Sequence, residues 1–333
     1  MAVPLKPAPT DRRAKIAVLD DYLGIALSLA DWSAVEARAD VTVFDRHLGS
    51  TEEQVAALQD YDAICVIRER TPLPRAYIEG LPKLSLIAMT GRRNRTLDLQ
   101  AAADNGVAVS ATTGSGNGEY ATVELAWGLI LGLLRHIPQE ANAMRTGHWQ
   151  TRLGNTVLNR RLGLLGIGRL GARMVPIANA FGMEVVAWSP NLTEERAAAA
   201  GARYVDKATL FATSDVVSLH LVLGETTRGI VGAEDLGRMM PSAILVNTSR
   251  GPLVDQAALI ETMRARRIAG AGLDVYDEEP LPADHPLRTL PNTLLTPHLG
   301  YTVEETLTGF YRETVENLVA WLDGAPIRLV HPD

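Results

Sequence analysis

The chain has 333 residues, of which 47% are hydrophobic, one cysteine and a formal net charge of -7. That length supports two domains with a core each, and the acidic balance excludes a protein that coats a phosphate backbone, so no nucleic-acid partner is expected. The longest apolar run, Val123 to Leu134, is shorter than the ~20 residues that span a bilayer; with no signal-like apolar core at the start and Cys65 as the only thiol, a cytoplasmic, membrane-free protein is expected.

Short runs of Val, Ile and Leu alternate with longer amphipathic or alanine-rich segments, the pattern of parallel βαβ units. The first set of predicted strands is Lys15 to Leu19, Val41 to Phe44, Ala63 to Ile67, Leu86 to Met89 and Val107 to Val109. A glycine-rich loop, TTGSGNGEY, then marks a boundary, and a long helix is expected from about Glu119 to Met144. The second set is Leu162 to Gly166, Glu184 to Trp188, Val216 to His220, Ala243 to Asn247, Ala271 to Val275 and Thr293 to Thr296. Apolar residues at Leu307, Phe310, Val315, Leu318 and Trp321 recur at helical spacing and predict a terminal helix over 303–324. The expected fold class is therefore α/β with two doubly wound parallel-sheet domains.

The segment LGLLGIGRLGARMVPIANAFGMEVVAW places Gly166, Gly168 and Gly171 in the G-x-G-x-x-G spacing, between a strand and a helix-compatible run that leads to a second strand. Gly166 permits the tight turn, Gly168 lets the backbone approach a pyrophosphate, and Gly171 lets helix and strand pack closely. Amides at the helix start, around Arg169 and Leu170, then meet the anion, and Arg169 adds a charge. A dinucleotide is the expected cofactor.

Its identity turns on VVAWSPN, Val185 to Asn191. An acidic residue usually follows the second strand and accepts from the ribose 2′-hydroxyl of NAD. Here Ser189 stands at that place, followed by Pro190 and Asn191, with Arg196 the next cation and Glu194 and Glu195 beside it. Removing the carboxylate removes its repulsion of a 2′-phosphate, so NADP is favoured over NAD.

Three later predicted strands each end near an ionisable residue: Arg250 in NTSRGPLVD, Asp274 and Glu279 in GLDVYDEEP, and His298 in TPHLGY. Carboxyl ends of strands line the ligand crevice of an open α/β sheet. Singly, each side chain has an ordinary structural explanation; three after successive strands of one nucleotide domain point to chemistry.

These segments, in this order, resemble the D-isomer-specific 2-hydroxyacid dehydrogenases, through GIGRLG, SDVVSLHL, ILVNTSRGPLVD, GLDVYDEEPLPADHPL and TPHLGYTVEET. The resemblance implies a flavodoxin-like substrate domain, residues 1–110 plus 300–333, with the Rossmann cofactor domain, 111–299, inserted in it. It implies that Arg250 binds the carboxylate of a small 2-keto or 2-hydroxy acid and that His298 is the acid or base, with Glu279 hydrogen-bonded to it. A neighbouring carboxylate favours imidazolium, and a guanidinium grips a carboxylate through two parallel hydrogen bonds. Thr248 and Asp274 complete the implied cofactor set. The loop MTGRRNRTLD matches the family's substrate loop, where Arg92, Arg93 and Asn94 are expected at the substrate with Tyr301, and Arg95 adds charge. A cleft between the domains and a homodimer built around the Val123 to Leu134 helix are further implications.

Two other readings compete. The same fold serves as a dinucleotide-sensing scaffold in transcriptional corepressors. A metal hydrolase using His220, Asp274, Glu279 and His298 lacks a tight ligand-spacing motif, and no metal is expected.

Overall fold

The structure is a computed structural model, described for residues 3–114 and 118–332. Ser115, Gly116 and Asn117 of the glycine-rich boundary loop lie outside the described residues. The chain forms two compact units, Met1–Gly116 with Val303–Asp333, and Asn117–Thr302.

The first unit runs β1 (Ala14–Val18), α1 (Ser33–Glu36), β2 (Ala39–Val43), α2 (Thr51–Leu58), β3 (Ala63–Val66), α3 (Arg75–Glu79), β4 (Leu86–Met89), α4 (Leu99–Asp104) and β5 (Ala108–Ala111). Its five strands are parallel in the order β2-β1-β3-β4-β5, a flavodoxin-like arrangement with its switch point between β1 and β3. Alternate residues serve opposite faces of a strand. Ile64, Val66, Ile87 and Met89 join Leu58, Tyr77, Ile78 and Ala101 in one core.

The second unit runs α5 (Gly118–Leu134), α6 (Ile137–Arg145), β6 (Arg161–Leu165), α7 (Arg169–Ala180), β7 (Glu184–Trp188), α8 (Glu194–Ala199), β8 (Arg203–Tyr204), α9 (Lys207–Thr213), β9 (Val216–Leu219), α10 (Ala233–Arg238), β10 (Ile244–Asn247), α11 (Gln256–Arg264), β11 (Gly270–Leu273) and β12 (Thr293–Leu295). The terminal helix, α12 (Glu304–Leu322), belongs to the first unit, where it packs on β4, β5 and α1.

Seven parallel strands of the second unit lie in the order β12-β11-β10-β9-β6-β7-β8, a Rossmann sheet with its switch point between β6 and β9. Both faces are buried, which is why the strands read as continuous apolar runs. Leu162, Leu164, Val185, Ala187, Ile244 and Val246 face a core shared with α5 and α7, while Leu165, Val186, Val217, Leu219 and Leu245 face one shared with α9, α10 and α11.

The expected single helix from Glu119 to Met144 is two helices. His136 takes a left-handed backbone, φ 53°, and Pro138 sits in the first turn of α6; proline cannot continue α5 because it has no N–H to give and its ring clashes with the preceding turn. The two-residue strand β8 was not legible in the sequence. The apolar length of α5 is used by its own unit, since Val123, Trp127, Leu129, Ile130, Leu133 and Leu134 are core residues. Exposed apolar side chains instead follow it, at Ile137, Met144, Trp149, Leu153 and Leu158.

Candidate functional site

The turn from β6 into α7 is shaped by its glycines for different reasons. Gly166 has φ 95°, in the left-handed region where a side chain is strained, and a Cβ there would lie 2.8 Å from the His220 carbonyl oxygen. A Cβ on Gly171 would lie 2.1 Å from the Gly166 oxygen. Gly168 is different: a Cβ there would meet nothing within 4 Å. It caps α7, a helix of 12 residues with no side-chain cap and no acidic residue in its first turn, so the open space lies where a helix N-terminus favours an anion. Arg169 is exposed at the first position of that helix, and the Leu170 side chain packs into the core beside α5.

Beyond β7, Ser189 is half-buried and Asn191 exposed. Arg196 Nη1 donates to the Asn191 carbonyl oxygen at 2.8 Å, which brings a guanidinium back to the end of the strand. Glu194 and Glu195 are exposed in the first turn of α8. After β10, Thr248 is buried, and among the described residues its hydroxyl has no hydrogen-bond partner. An orphaned hydroxyl beside the strand end, and a glycine cradle that no protein atom fills, both suit a dinucleotide.

Arg250 follows on the same segment. Asn247 Nδ2 donates to the Arg250 carbonyl oxygen at 2.9 Å, and the Asn247 Oδ1 accepts from the Ser249 amide at 3.0 Å. This ties the segment to the end of its strand. A Cβ on Gly251 would come within 2.1 Å of the Tyr276 carbonyl carbon, so only glycine lets the Arg250 segment pass against the loop that carries Glu279.

That loop and the turn after β12 meet at Asp274. Fully buried, Asp274 accepts from Thr296 Oγ1 at 2.6 Å, the Leu299 amide at 2.7 Å and the Gly300 amide at 2.9 Å, while its carbonyl oxygen accepts from the His298 amide at 2.9 Å. Burial raises its carboxyl above the ordinary carboxylate value, against hydrogen bonds that favour the ionised form. The bonds hold His298 at φ 54°, a backbone conformation in which few non-glycine residues sit.

His298 Nδ1 lies 2.5 Å from Glu279 Oε2, and Glu279 Oε1 accepts from the Tyr276 amide at 2.9 Å. Burial pushes the Glu279 carboxyl up. The His298 hydrogen bond and charge, the Tyr276 amide and the Arg250 charge outweigh it and hold the carboxyl below its ordinary value. Arg250, Glu279 and His298 are thus brought together electrostatically in one unit. The Tyr301 ring stands 5.4 Å from the His298 ring at an interplanar angle of 73°. With Nδ1 held by a carboxylate, the imidazole has Nε2 left to give or take a proton.

His220 is not part of this group. It is buried, Ser218 Oγ lies 2.9 Å from its Nε2, and burial pushes its imidazole down to about 4, so it is neutral. Among the described residues no three His, Cys, Asp or Glu side chains are gathered to hold a metal ion, so the hydrolase arrangement is not assembled. Nor is any described helix long and apolar enough to cross a membrane.

In the first unit, Arg92, Arg93 and Arg95 are exposed and Asn94 is buried. Asn94 Nδ2 donates to the Arg68 carbonyl oxygen at 2.7 Å, and its Oδ1 accepts from the Thr96 amide at 2.9 Å and the Thr96 hydroxyl at 2.8 Å. Its side chain shapes the loop. Sequence reasoning missed this, as it missed Thr296, Thr248's burial and the Gly251 contact; each depends on a partner far away in the chain, so no local motif carries it.

Residues 127–300 match the family model described as D-isomer specific 2-hydroxyacid dehydrogenase, NAD binding domain. The chain is 35% identical over 84% of its length to a glyoxylate reductase of Korarchaeum cryptofilum, covering 85% of that protein. It is 33% identical over 84% of its length to a D-3-phosphoglycerate dehydrogenase of Archaeoglobus fulgidus, covering 53% of it. The chain spans about half the length of the phosphoglycerate dehydrogenases it matches. Among solved structures, a phosphoglycerate oxidoreductase from Vibrio cholerae superimposes with a TM-score of 0.88 at 37% identity, over 94% of this chain and 100% of that one.

Proposed function

We propose that this chain, which belongs to the D-isomer specific 2-hydroxyacid dehydrogenase family, interconverts a small 2-keto acid and its D-2-hydroxy acid. When bound, a nicotinamide dinucleotide supplies or takes up the hydride. The observation that carries the reading is the 2.5 Å contact of His298 Nδ1 with Glu279, in the field of Arg250. Protonated His298 gives its Nε2 proton to the carbonyl oxygen in reduction and removes the hydroxyl proton in oxidation. Glu279 fixes the ring through Nδ1. Arg250 holds the substrate carboxylate through paired hydrogen bonds, which sets the keto carbon beside His298. Asp274 braces the backbone behind His298, and Tyr301 packs against the ring on one side.

Gly166, Gly168, Arg169, Leu170 and Gly171 hold the pyrophosphate through backbone and charge, with Thr248 offering its unused hydroxyl. At the ribose, Ser189, Asn191 and the guanidinium of Arg196 replace the usual carboxylate, which supports NADPH as the preferred form. Arg92 and Arg93, exposed on their loop in the first unit, suit an anionic group. A cytoplasmic site of action belongs to the same reading and rests on the single buried thiol, Cys65. Homodimerisation is supported by the apolar side chains after α5, where Trp149 is 75% and Leu153 93% exposed; a Leu153→Asp chain that sediments as the wild type would remove that support.

Initial rates with NADPH and NADH, using glyoxylate and hydroxypyruvate as acceptors, test the function. A higher kcat/KM with NADPH is expected. A preference for NADH would mean that another group holds the ribose, and no turnover with any 2-keto acid would overturn the activity itself.

A further inference from the structure

The cofactor unit holds a cavity at the other end of its sheet. Its volume is about 330 Å³, and it is lined where α5 ends and α6 begins, by the segment after α6, and by residues at the amino ends of β10 and β11 and just before β12. Arg250, Asp274 and His298 all follow carboxyl ends of the same strands, so the two places lie at opposite ends of a parallel sheet.

Arg152, Arg266 and His136 line this cavity, and no Asp or Glu among the described residues does. Neither guanidinium is hydrogen-bonded or ion-paired among the described residues. Glu140 feels the Arg152 charge, but its carboxylate is held by the Thr151 hydroxyl at 2.6 Å and the Thr151 amide at 3.1 Å. Glu140, outside the lining, offsets part of the Arg152 charge, while no carboxylate among the described residues pairs with Arg266 or lines the cavity, so the lining itself is net positive. Such a lining concentrates anions, and guanidinium groups suit carboxylate or phosphate oxygens.

Two acceptors face the opposite need. Gln139 Oε1 and Asn292 Oδ1 are buried, and among the described residues neither has a hydrogen-bond partner. For Asn292 the amide orientation is fixed, since Nδ2 donates to the Met263 carbonyl oxygen at 3.3 Å. A buried acceptor left unmade costs about 1–3 kcal/mol, so a ligand with an O–H or N–H donor would relieve it. Leu133, Leu134 and Ile268 supply an apolar wall. The volume admits a solute of roughly ten non-hydrogen atoms, taking ~30 Å³ for each water-sized group.

We infer that this cavity is a second ligand site, for a small organic anion that also bears a hydroxyl or ammonium donor. The anionic group lies against Arg152 and Arg266, and the donor satisfies Gln139 and Asn292. The inference is independent of the proposed reaction.

Calorimetric titration of the full chain with L-malate, as a hydroxy carboxylate, and with glycerol 3-phosphate, as a phosphate monoester, tests it. At least one probe is expected to bind at one site per chain; the one that does distinguishes carboxylate from phosphate recognition. Arg266→Ala and Arg152→Ala should each weaken binding at least about tenfold, while Arg250→Gln binds as the wild type. Ser242→Phe removes no charge and fills the cavity from an exposed lining position; it should also abolish binding. The inference is overturned if neither probe binds, or if Arg250→Gln abolishes binding that Arg266→Ala leaves intact, which would place the probe with the catalytic arginine. A changed sedimentation of Arg266→Ala without any probe would also overturn it, because the face would then be covered by a second copy.

Discussion

The turn after β6 and the turn after β12 both follow carboxyl ends of strands in one parallel sheet, yet they are built in opposite ways. The glycine turn leaves its groups open: no side chain caps α7, and the space beside Gly168 is empty to 4 Å. The histidine turn is closed on itself. Asp274 takes the amides of Leu299 and Gly300 on its carboxylate and that of His298 on its carbonyl, and Glu279 takes the imidazole Nδ1. A region that must receive an anion keeps its donors free. One that must present a single nitrogen commits all the others, because a catalytic group is effective only when its own neighbours fix it.

Substitutions can break that contrast. The largest effect is expected at His298: His298→Asn should lower kcat by about 10²–10⁴-fold with the fold intact by circular dichroism, and a kcat within a factor of about three of the wild type would remove His298 as the proton carrier. Asp274→Ala deletes a buried acceptor of three hydrogen bonds and should cost about 2–4 kcal/mol in urea unfolding, with activity falling too because His298 loses its brace. At the open turn the two effects should separate. Gly168→Ala is expected to raise KM for the dinucleotide about tenfold with Tm nearly unchanged, whereas Gly171→Ala, whose Cβ would collide with the Gly166 oxygen, should lower Tm. Equal losses of stability in both would mean that Gly168 serves the fold and not a ligand.

The smallest effect is on the pH dependence of stability. The Glu279 carboxyl is held below its ordinary value in the folded chain, so the unfolded chain binds its proton more readily. Its contribution is complete above the unfolded value of about 4.3 and is lost as pH falls through the lower folded value. The stability difference between the wild type and Glu279→Gln should therefore shrink on acidification below about pH 4. A difference that grows on acidification would show that the carboxylate is not what the fold stabilises.

Much of this molecule was legible because its signals are local. Continuous apolar runs gave every strand of both sheets but β8, glycine spacing placed the turn before α7, and Arg250, Glu279 and His298 could be singled out by their position just past predicted strands. The helix break at His136 was less legible: the apolar run stops at Leu134, but Arg135 and His136 are residues a helix accepts, so only Pro138 signals the break. The part Asn94 plays in holding its loop was not legible either, since its contact with the Arg68 carbonyl oxygen spans 26 positions of the chain.

Periodicity and residue type, by themselves, determined the fold class, the dinucleotide turn and the identity of the ionisable residues, because these depend on neighbours within a few positions of the chain. Tertiary structure decided which of those residues meet. The separation of 19 positions between Glu279 and His298, and of 22 between Asp274 and Thr296, is closed by the parallel pairing of β11 with β12. It decided also that α5 spends its apolar face inside its own unit, and that Arg152 and Arg266 come to line one cavity. Burial and charge proximity are properties of distances that no local pattern encodes.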